Sequence, residues 1–307
     1  MQIQWYPGHM HKASLEIKKL LPEIDVIIEV LDARIPFSSQ NPMLNKLRGD
    51  KPCIRLLNKS DLADPVKTAL WQDYMEQEQG VKTLAVQQYQ PEKIKTLTQL
   101  CRKLAPEKGS ADRVLKTMIM GIPNVGKSTI INILADRIIA KTGNEPAVTK
   151  RQQRINLPDH ITLSDTPGVM WPNVENKMSG YRLAATGAIK DTALAHDDVA
   201  FFVAEFLIAD YPDRLKARFQ LESVPDTETE LIEIIGRQRG CIRAGKQVDW
   251  DKTAKMLLNE LRSGQLGPLT LEMPEQVAAE IEQVALLREE KALKKAARKQ
   301  KWQSSKS

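Results

Sequence analysis

The strongest fold signal in this chain is the segment Gly121-Ile122-Pro123-Asn124-Val125-Gly126-Lys127-Ser128. It has the G-x-x-x-x-G-K-S spacing of a phosphate-binding loop. Its glycines let backbone N–H groups surround a polyphosphate, the helix starting near Lys127 offers its positive end, and Lys127 can bridge the β and γ phosphates. A mostly apolar strand is predicted over 114–120 and a helix over 129–136. This context predicts nucleotide contacts from Asn124, Val125, Gly126, Lys127, Ser128 and Thr129.

A second motif, Asn58-Lys59-Ser60-Asp61, has the N-K-x-D pattern that reads guanine. Asp61 can accept two hydrogen bonds from the N1–H and exocyclic amine of guanine, groups that adenine does not present. Asn58 and Lys59 are expected to tie this base loop to the phosphate loop. The motif follows the apolar run 53–57, at the carboxyl end of a predicted strand, where open α/β sheets bind ligands. The motif therefore predicts GTP and GDP as the ligands.

A third motif, Asp165-Thr166-Pro167-Gly168, matches the D-x-x-G pattern of switch II. Asp165 would hold Mg²⁺ through water, while the Gly168 N–H would meet the γ-phosphate. Ser128 is placed to ligate the same Mg²⁺. Thr149 lies between the phosphate loop and the D-x-x-G motif, at a spacing that suits the switch I threonine. That threonine would be a further Mg²⁺ and nucleotide ligand.

The order of the motifs is unusual, because the base loop at 58 precedes the phosphate loop at 121. Ordinary GTPases have the opposite order. The chain is therefore predicted to be a circularly permuted GTPase.

Three further sites bear on the base, on a cation and on the attacking water. Val86 and Gln87 stand where GTPases have a base-backing Ser-Ala pair, so a contact there would come through the backbone. Asn124 resembles the asparagine of GTPases that recruit K⁺, and the alternative is a side chain that braces the loop. Val169 and Met170 follow Gly168, where Ras-like enzymes place the glutamine that orients water. Another group must then orient the attacking water.

Strand and helix patterns alternate over the first 180 residues. This alternation predicts an α/β P-loop GTPase domain, residues 1–180, with a mainly parallel sheet covered on both faces. Apolar residues at helical spacing dominate afterwards and predict a helical RNA-binding or ribosome-binding domain over 181–287, with a short strand at 269–271. Residues 288–307 are predicted to form a basic, disordered tail.

Composition is that of an ordinary globular protein, with 42% hydrophobic and 27% charged residues. No segment is long and apolar enough to span a membrane, and the N-terminus lacks the apolar region of a signal peptide. A cytoplasmic location without membrane contact is expected. Three scattered cysteines, Cys53, Cys101 and Cys241, predict neither a disulfide framework nor a zinc pair.

Charge is unevenly distributed, since residues 288–307 hold eight Lys or Arg and two Glu, and therefore all of the net charge of +6. Such a cluster favours phosphate backbones through counterion release. Trp302 among the lysines could stack on an exposed base. The alternative is a solvated tail that only aids solubility.

Together with the motif order, the segments Trp5-Tyr6-Pro7-Gly8-His9-Met10 and Asp32-Ala33-Arg34-Ile35-Pro36 resemble ribosome biogenesis GTPase A, the RbgA/YlqF-type family. The resemblance covers roughly residues 1–270. It implies a bacterial cytoplasmic GTPase that acts late in assembly of the large ribosomal subunit, with a helical C-terminal domain that contacts rRNA.

The resemblance also implies a role for His9 as the catalytic group that orients the attacking water. The sequence alone leaves a structural or RNA-contacting histidine open, because His11 is only two residues away.

Two functions follow as hypotheses. The first is a GTPase that matures the large-subunit precursor and its rRNA, hydrolyses GTP when docked, and is a monomer off the ribosome. The second is a nucleotide-switched protein that acts on a protein partner. An ATP-using kinase is disfavoured by Asn58-Lys59-Ser60-Asp61.

Overall fold

The computed structural model describes residues 8–106, 113–140, 153–189 and 195–304. Six strands alternate with helices in the first half: β1 Val26–Asp32, β2 Cys53–Asn58, β3 Val81–Ala85, β4 Leu115–Met120, β5 Gln153–Leu157 and β6 Ile161–Asp165. The helices that cover this sheet or link its strands are α1 Gly8–Leu20, α2 Pro42–Arg48, α3 Pro65–Met75, α4 Pro91–Lys95, α5 Leu97–Leu104 and α6 Lys127–Leu134. The helices of the second half are α7 Lys177–Ala185, α8 His196–Asp210, α9 Pro212–Phe219, α10 Glu228–Gln238, α11 Trp250–Ser263 and α12 Val277–Ser304.

The strands form one sheet in the order β3-β2-β1-β4-β6-β5, and only β5 runs antiparallel to its neighbour. Strands β1 and β2 are buried along their whole length. Near-continuous apolar runs are typical of parallel strands covered on both faces. The predicted α/β fold with a mainly parallel sheet is confirmed.

This sheet order explains how distant motifs meet. Strand β1 pairs with β2 on one side and with β4 on the other, so β2 and β4 end at the same edge of the sheet. The base loop follows β2, and the phosphate loop follows β4. Binding sites in open parallel sheets form at this carboxyl edge.

Helices α8, α10 and α11 pack on one another through an apolar stripe that includes Val203, Leu207, Leu231 and Leu257. Helix α7 continues across residue 180, where the sequence suggests a domain boundary. The ring of Tyr181 on α7 stacks on Phe202 of α8, with centroids 5.2 Å apart. Helix α7 therefore joins the nucleotide-binding half to the helical half.

The predicted strand at 269–271 is wrong. Its residues are extended, but they bond to separate segments of the first half: Leu269 N–H donates to Leu62 O at 2.9 Å and Leu271 N–H to Arg34 O at 2.8 Å. Single backbone hydrogen bonds to different segments do not form the repeated pairing of a β-strand with one neighbour.

The tail also differs from expectation, because helix α12 continues to Ser304. Its sequence from 277 to 304 has neither Gly nor Pro and is rich in Ala, Leu, Lys, Arg and Glu, the strongest helix formers. Side chains 281–283 and 285–298 are exposed, so most of this helix stands in solvent. Within the described ranges, no helix combines the length and apolar character needed to cross a membrane.

Candidate nucleotide site

The phosphate loop joins β4 to α6 and depends on two glycines. Gly126 has φ +97° and Gly121 has φ +150°, conformations that side chains rarely adopt. A Cβ at Gly121 would lie 2.5 Å from the carbonyl oxygen of Val30, and one at Gly126 would collide with the Asn58 amide. Both glycines of the motif are therefore required by the backbone and by their neighbours.

Lys127 is buried at the start of α6, and its Nζ donates to the carbonyls of Gly121 at 3.1 Å and Ile122 at 2.7 Å. Burial lowers the pKa of Lys127 to about 8, and the nearby charge of Asp165 opposes that shift. The amine lies inside the loop that the motif assigns to phosphate. Ser128 and Thr129 are half-buried in the first turn of α6.

The base loop and the phosphate loop are joined by Asn58. Its Nδ2 donates to the carbonyl of Val125 at 2.7 Å, which is the contact predicted for this residue. The Ser60 N–H donates to the carbonyl of Val86 at 3.1 Å. Asp61 has an exposed side chain at the end of this loop.

Val86 holds the base loop through its backbone, and its contact with the base itself stays a prediction. Its N–H donates to the carbonyl of Leu57 at 2.9 Å, and its own carbonyl holds the base loop. Gln87 is half-buried, and its carbonyl accepts a hydrogen bond from the N–H of Gln90. Val86 thus supports the base loop from the neighbouring strand end.

The contact of Lys59 differs from the prediction. Its Nζ pairs with Asp32 at 2.9 Å rather than with the phosphate loop. Asp32 also receives two side-chain hydrogen bonds from Arg34, from Nε at 2.9 Å and Nη2 at 2.7 Å. Burial opposes ionisation of Asp32, but the charges of Arg34 and Lys59 hold its pKa well below the usual range. Asp32 and Arg34 entered the sequence analysis only as part of a family resemblance. The signal that could have indicated their ion pair was their spacing, two residues apart at the end of one strand.

Asp165 ends strand β6 and is 1% exposed. Neither of its carboxylate oxygens has a hydrogen-bond partner. Burial raises the pKa of Asp165 to about 6, and the charge of Lys127 opposes the rise. Two buried, unpartnered carboxylate oxygens beside a phosphate loop fit the oxygen ligands that Mg²⁺ takes. Thr149 lies outside the described residues.

Gly168 packs directly on the phosphate loop. A Cβ at this position would lie 3.0 Å from the Cα of Pro123 and 3.1 Å from Nζ of Lys127. The next residue, Val169, donates its N–H to the carbonyl of Gly121 at 3.3 Å. Val169 and Met170 are both buried and apolar, so neither can hold a water molecule.

His9 lies in the first turn of α1, and its side chain is outside the described part of the structure. Its neighbour Met10 is buried, and the Met10 sulfur accepts a contact from the Met170 N–H at 3.5 Å. The start of α1 therefore adjoins the segment that follows switch II.

Asn124 has φ +60°, and its Nδ2 donates to the carbonyl of Gly187 at 2.8 Å. This contact is the loop-bracing role that the sequence leaves open beside K⁺ coordination. It connects the phosphate loop to the segment that follows α7.

A P-loop and the loop with the N-K-x-D motif meet at one edge of this sheet, and the D-x-x-G segment packs against the P-loop. They are contributed in the reverse of the usual chain order. This arrangement defines a circularly permuted GTPase.

Comparison with known proteins agrees with this class. Residues 116–239 match a family described as "50S ribosome-binding GTPase". Ribosome biogenesis GTPase A of Bacillus cereus is 43% identical over 296 residues, covering 94% of this chain and all of the relative. The Priestia megaterium protein of that name is 45% identical over 282 residues, covering 89% and 98%. The crystal structure of GNP-bound YlqF from T. maritima has a TM-score of 0.60 at 28% identity, covering 86% of this chain and 99% of that one.

The chain belongs to the ribosome biogenesis GTPase A family. It binds guanine nucleotide and hydrolyses GTP.

Proposed function

We propose that this GTPase is an assembly factor that acts late in maturation of the bacterial large ribosomal subunit and hydrolyses GTP when docked on the precursor particle. The names of its relatives, ribosome biogenesis GTPase A and 50S ribosome-binding GTPase, support this role. Ribosomes are assembled in the bacterial cytoplasm, so we place the protein there, as a monomer when it is off the particle.

The observation that carries the RNA contact is helix α12. Lys291, Lys294, Lys295 and Arg298 recur at three- and four-residue spacing, so they share one helix face, and all four are exposed. A basic stripe on a helix standing in solvent suits the phosphate backbone of rRNA.

The proposed nucleotide contacts follow the motifs. Asp61 reads guanine, and the loop from Asn124 to Thr129 holds the phosphates. Mg²⁺ would be held by Ser128, by Thr149 and, partly through water, by Asp165, whose unpartnered oxygens support the assignment. When bound, Mg²⁺ would neutralise the charge that develops on the phosphates. A K⁺ ion beside Asn124 would add positive charge there.

The hydrolytic step needs a group to orient water, because Val169 and Met170 are apolar and buried. We assign that role to His9, since α1 begins beside the segment after switch II. Gly168 directs its N–H at the γ-phosphate.

A protein partner is the second candidate function, and one observation favours it. Val66, Leu70 and Tyr74 form a stripe on α3 at four-residue spacing, and their side chains are 70%, 45% and 38% exposed. Exposed apolar stripes of this kind often mark protein contacts.

Co-sedimentation with ribosomal particles tests the proposal. The full-length protein should co-sediment with large-subunit precursors when it holds a non-hydrolysable GTP analogue, and less when it holds GDP. Binding should weaken steeply with salt, as expected of phosphate contacts. Absence from ribosomal particles in both nucleotide states would overturn the proposal and favour a protein partner.

A further inference from the structure

Asn41, which belongs to none of the nucleotide motifs, holds the backbone just after switch II. Its side chain is completely buried. The amide Nδ2 donates to the carbonyl of Val169 at 2.7 Å, and the Oδ1 accepts from the N–H of Met43 at 3.0 Å. The side chain therefore caps helix α2 and binds the residue that follows switch II at the same time.

The Val169 residue is held at both ends of its backbone. Its N–H bonds to Gly121 of the phosphate loop, and its carbonyl bonds to Asn41. Gly168 immediately precedes it and lies close to the phosphate loop. A Cβ added at Gly168 would be 3.0 Å from Pro123. Any shift of Val169 would therefore move Gly168 relative to the phosphate loop.

Asn41 itself has a rigid support. Its carbonyl accepts from the N–H of Asn45, and its own backbone amide favours the charged form of Glu29, which is buried in the central strand β1. Burial raises the pKa of Glu29 overall, and Arg55 opposes that rise. A side chain whose backbone is held at the start of α2 suits the positioning of a neighbouring loop.

We propose that Asn41 is a positioning residue for GTP hydrolysis: its amide holds the Val169 carbonyl so that the Gly168 N–H stays directed at the γ-phosphate. The inference rests on the assignment of Gly168 to the γ-phosphate made above. GDP has no γ-phosphate, so Asn41 acts on the binding of GTP and on the rate of hydrolysis, and leaves the affinity for GDP unchanged.

Asn41→Ser separates the two roles of the side chain. Serine is an equally good helix cap, but its shorter hydroxyl leaves the Val169 carbonyl without the amide donor. Loss of a buried hydrogen bond predicts that the affinity ratio of a non-hydrolysable GTP analogue to GDP falls about tenfold, with a similar fall in kcat. Asn41→Asp, measured at about pH 8, keeps the side-chain volume but sets an acceptor-only carboxylate against the Val169 carbonyl, so the ratio should fall at least as far.

The matched control is Gln238→Glu, which replaces another amide that donates to a backbone carbonyl, that of Phe219 at 2.9 Å in the helical half. This variant should keep the wild-type affinity ratio. Gly168→Ala tests the underlying assignment: it keeps the N–H, but its Cβ would lie 3.0 Å from Pro123 and push the N–H away from the phosphate loop, so the ratio should fall. If Gly168→Ala lowers the ratio and both Asn41 variants bind GDP normally with an unchanged ratio, the role of Asn41 is overturned. If Gly168→Ala has no effect, the assignment of Gly168 fails instead.

Discussion

Arg182 and Glu272 form an ion pair of 3.3 Å between side chains that are 3% and 1% exposed. Arg182 lies on α7, shortly after switch II, and also pairs with Glu280 of α12 at 2.8 Å. Glu272 accepts hydrogen bonds from the N–H groups of Phe37 and Ser38. Through their partners, Arg182 and Glu272 thus connect the nucleotide-binding half, α7 and α12.

Removal of one partner of this pair should destabilise the fold. Glu272→Ala leaves the buried charge of Arg182 with one carboxylate partner fewer. The free energy of unfolding should therefore fall by about 3 to 5 kcal/mol. Urea unfolding of the nucleotide-free protein measures the change. Glu275→Ala, at an exposed position three residues away, is the control and should change stability little. A loss for Glu272→Ala no larger than that of the control would contradict the prediction.

Asp61→Asn should change the base that the site prefers. A site built around hydrogen bonds to a substrate group discriminates by about 10⁴ or more, so GTP affinity should fall severely and xanthine nucleotides should bind better. Fluorescence titration with both nucleotides measures the preference. Asp73→Asn, another exposed aspartate, serves as the control. Unchanged GTP binding by Asp61→Asn would remove Asp61 from the base site.

Removal of residues 288–307 should weaken RNA or ribosome binding while GTP turnover without ribosomes stays the same. The salt dependence of binding should flatten by roughly 0.7 to 0.9 in slope per lost phosphate contact. Reversing charge at Lys291 and Lys295 should act in the same direction. The matched control is charge reversal at Lys252 and Lys255 on α11, which are also exposed. A salt slope that the truncation leaves unaltered would favour a role in solubility only.

His9→Ala should lose most of the ribosome-stimulated hydrolysis, by about 10² to 10⁴, the usual contribution of a group that assists the attacking water. The unstimulated rate should already be slow, on the order of 10⁻⁴ to 10⁻² s⁻¹, because no switch II glutamine is present. Single-turnover hydrolysis with saturating large subunits is the measurement, and His11→Ala is the control. If His9→Ala binds the particle and hydrolyses GTP at the wild-type rate, His9 is structural.

Asp165 should make stability depend on pH. Its pKa is raised from 3.8 to about 6, so between these values the folded protein binds a proton that the unfolded chain has lost. The contribution of Asp165 to stability therefore falls as pH rises through this window and is level above it. Asp165→Asn does not titrate, so it should gain on the order of 3 kcal/mol over the wild type between about pH 4 and pH 7.

Urea unfolding of both nucleotide-free proteins across this pH range gives the comparison. Glu29 and Glu272, whose pKa values are also raised by burial, titrate in both proteins and cancel. A stability difference that is constant with pH would show that Asp165 titrates normally.

The nucleotide motifs could be predicted from sequence because their chemistry demands particular residues at fixed local spacing. The glycines at 121 and 126 and the amide of Asn58 are in the predicted places. The motifs also indicated that ligands bind at the carboxyl edge of a mainly parallel sheet, whereas the order of the strands came from the structure alone.

The contacts that sequence reasoning missed join residues far apart in the chain. Asn41 and Val169 are 128 residues apart, and no periodicity or spacing marks such a pair. Lys59 was assigned to the phosphate loop, but a buried carboxylate on the neighbouring strand end is the nearer partner. The helical extent of α12 was not predicted, because its clustered charge indicates a disordered tail while its residue types favour a helix.

The segment 269–272 supports the end of the base loop, although it is synthesised much later than that loop. The Asp64 N–H bonds to Oγ1 of Thr270, 206 residues further along the chain, and the Leu62 carbonyl bonds to Leu269. A ribosome that synthesises this chain releases the guanine-reading loop long before the segment that supports it. Contacts of such high sequence separation form late in folding. We therefore expect nascent copies to be poor competitors for cellular GTP until most of the chain has been made.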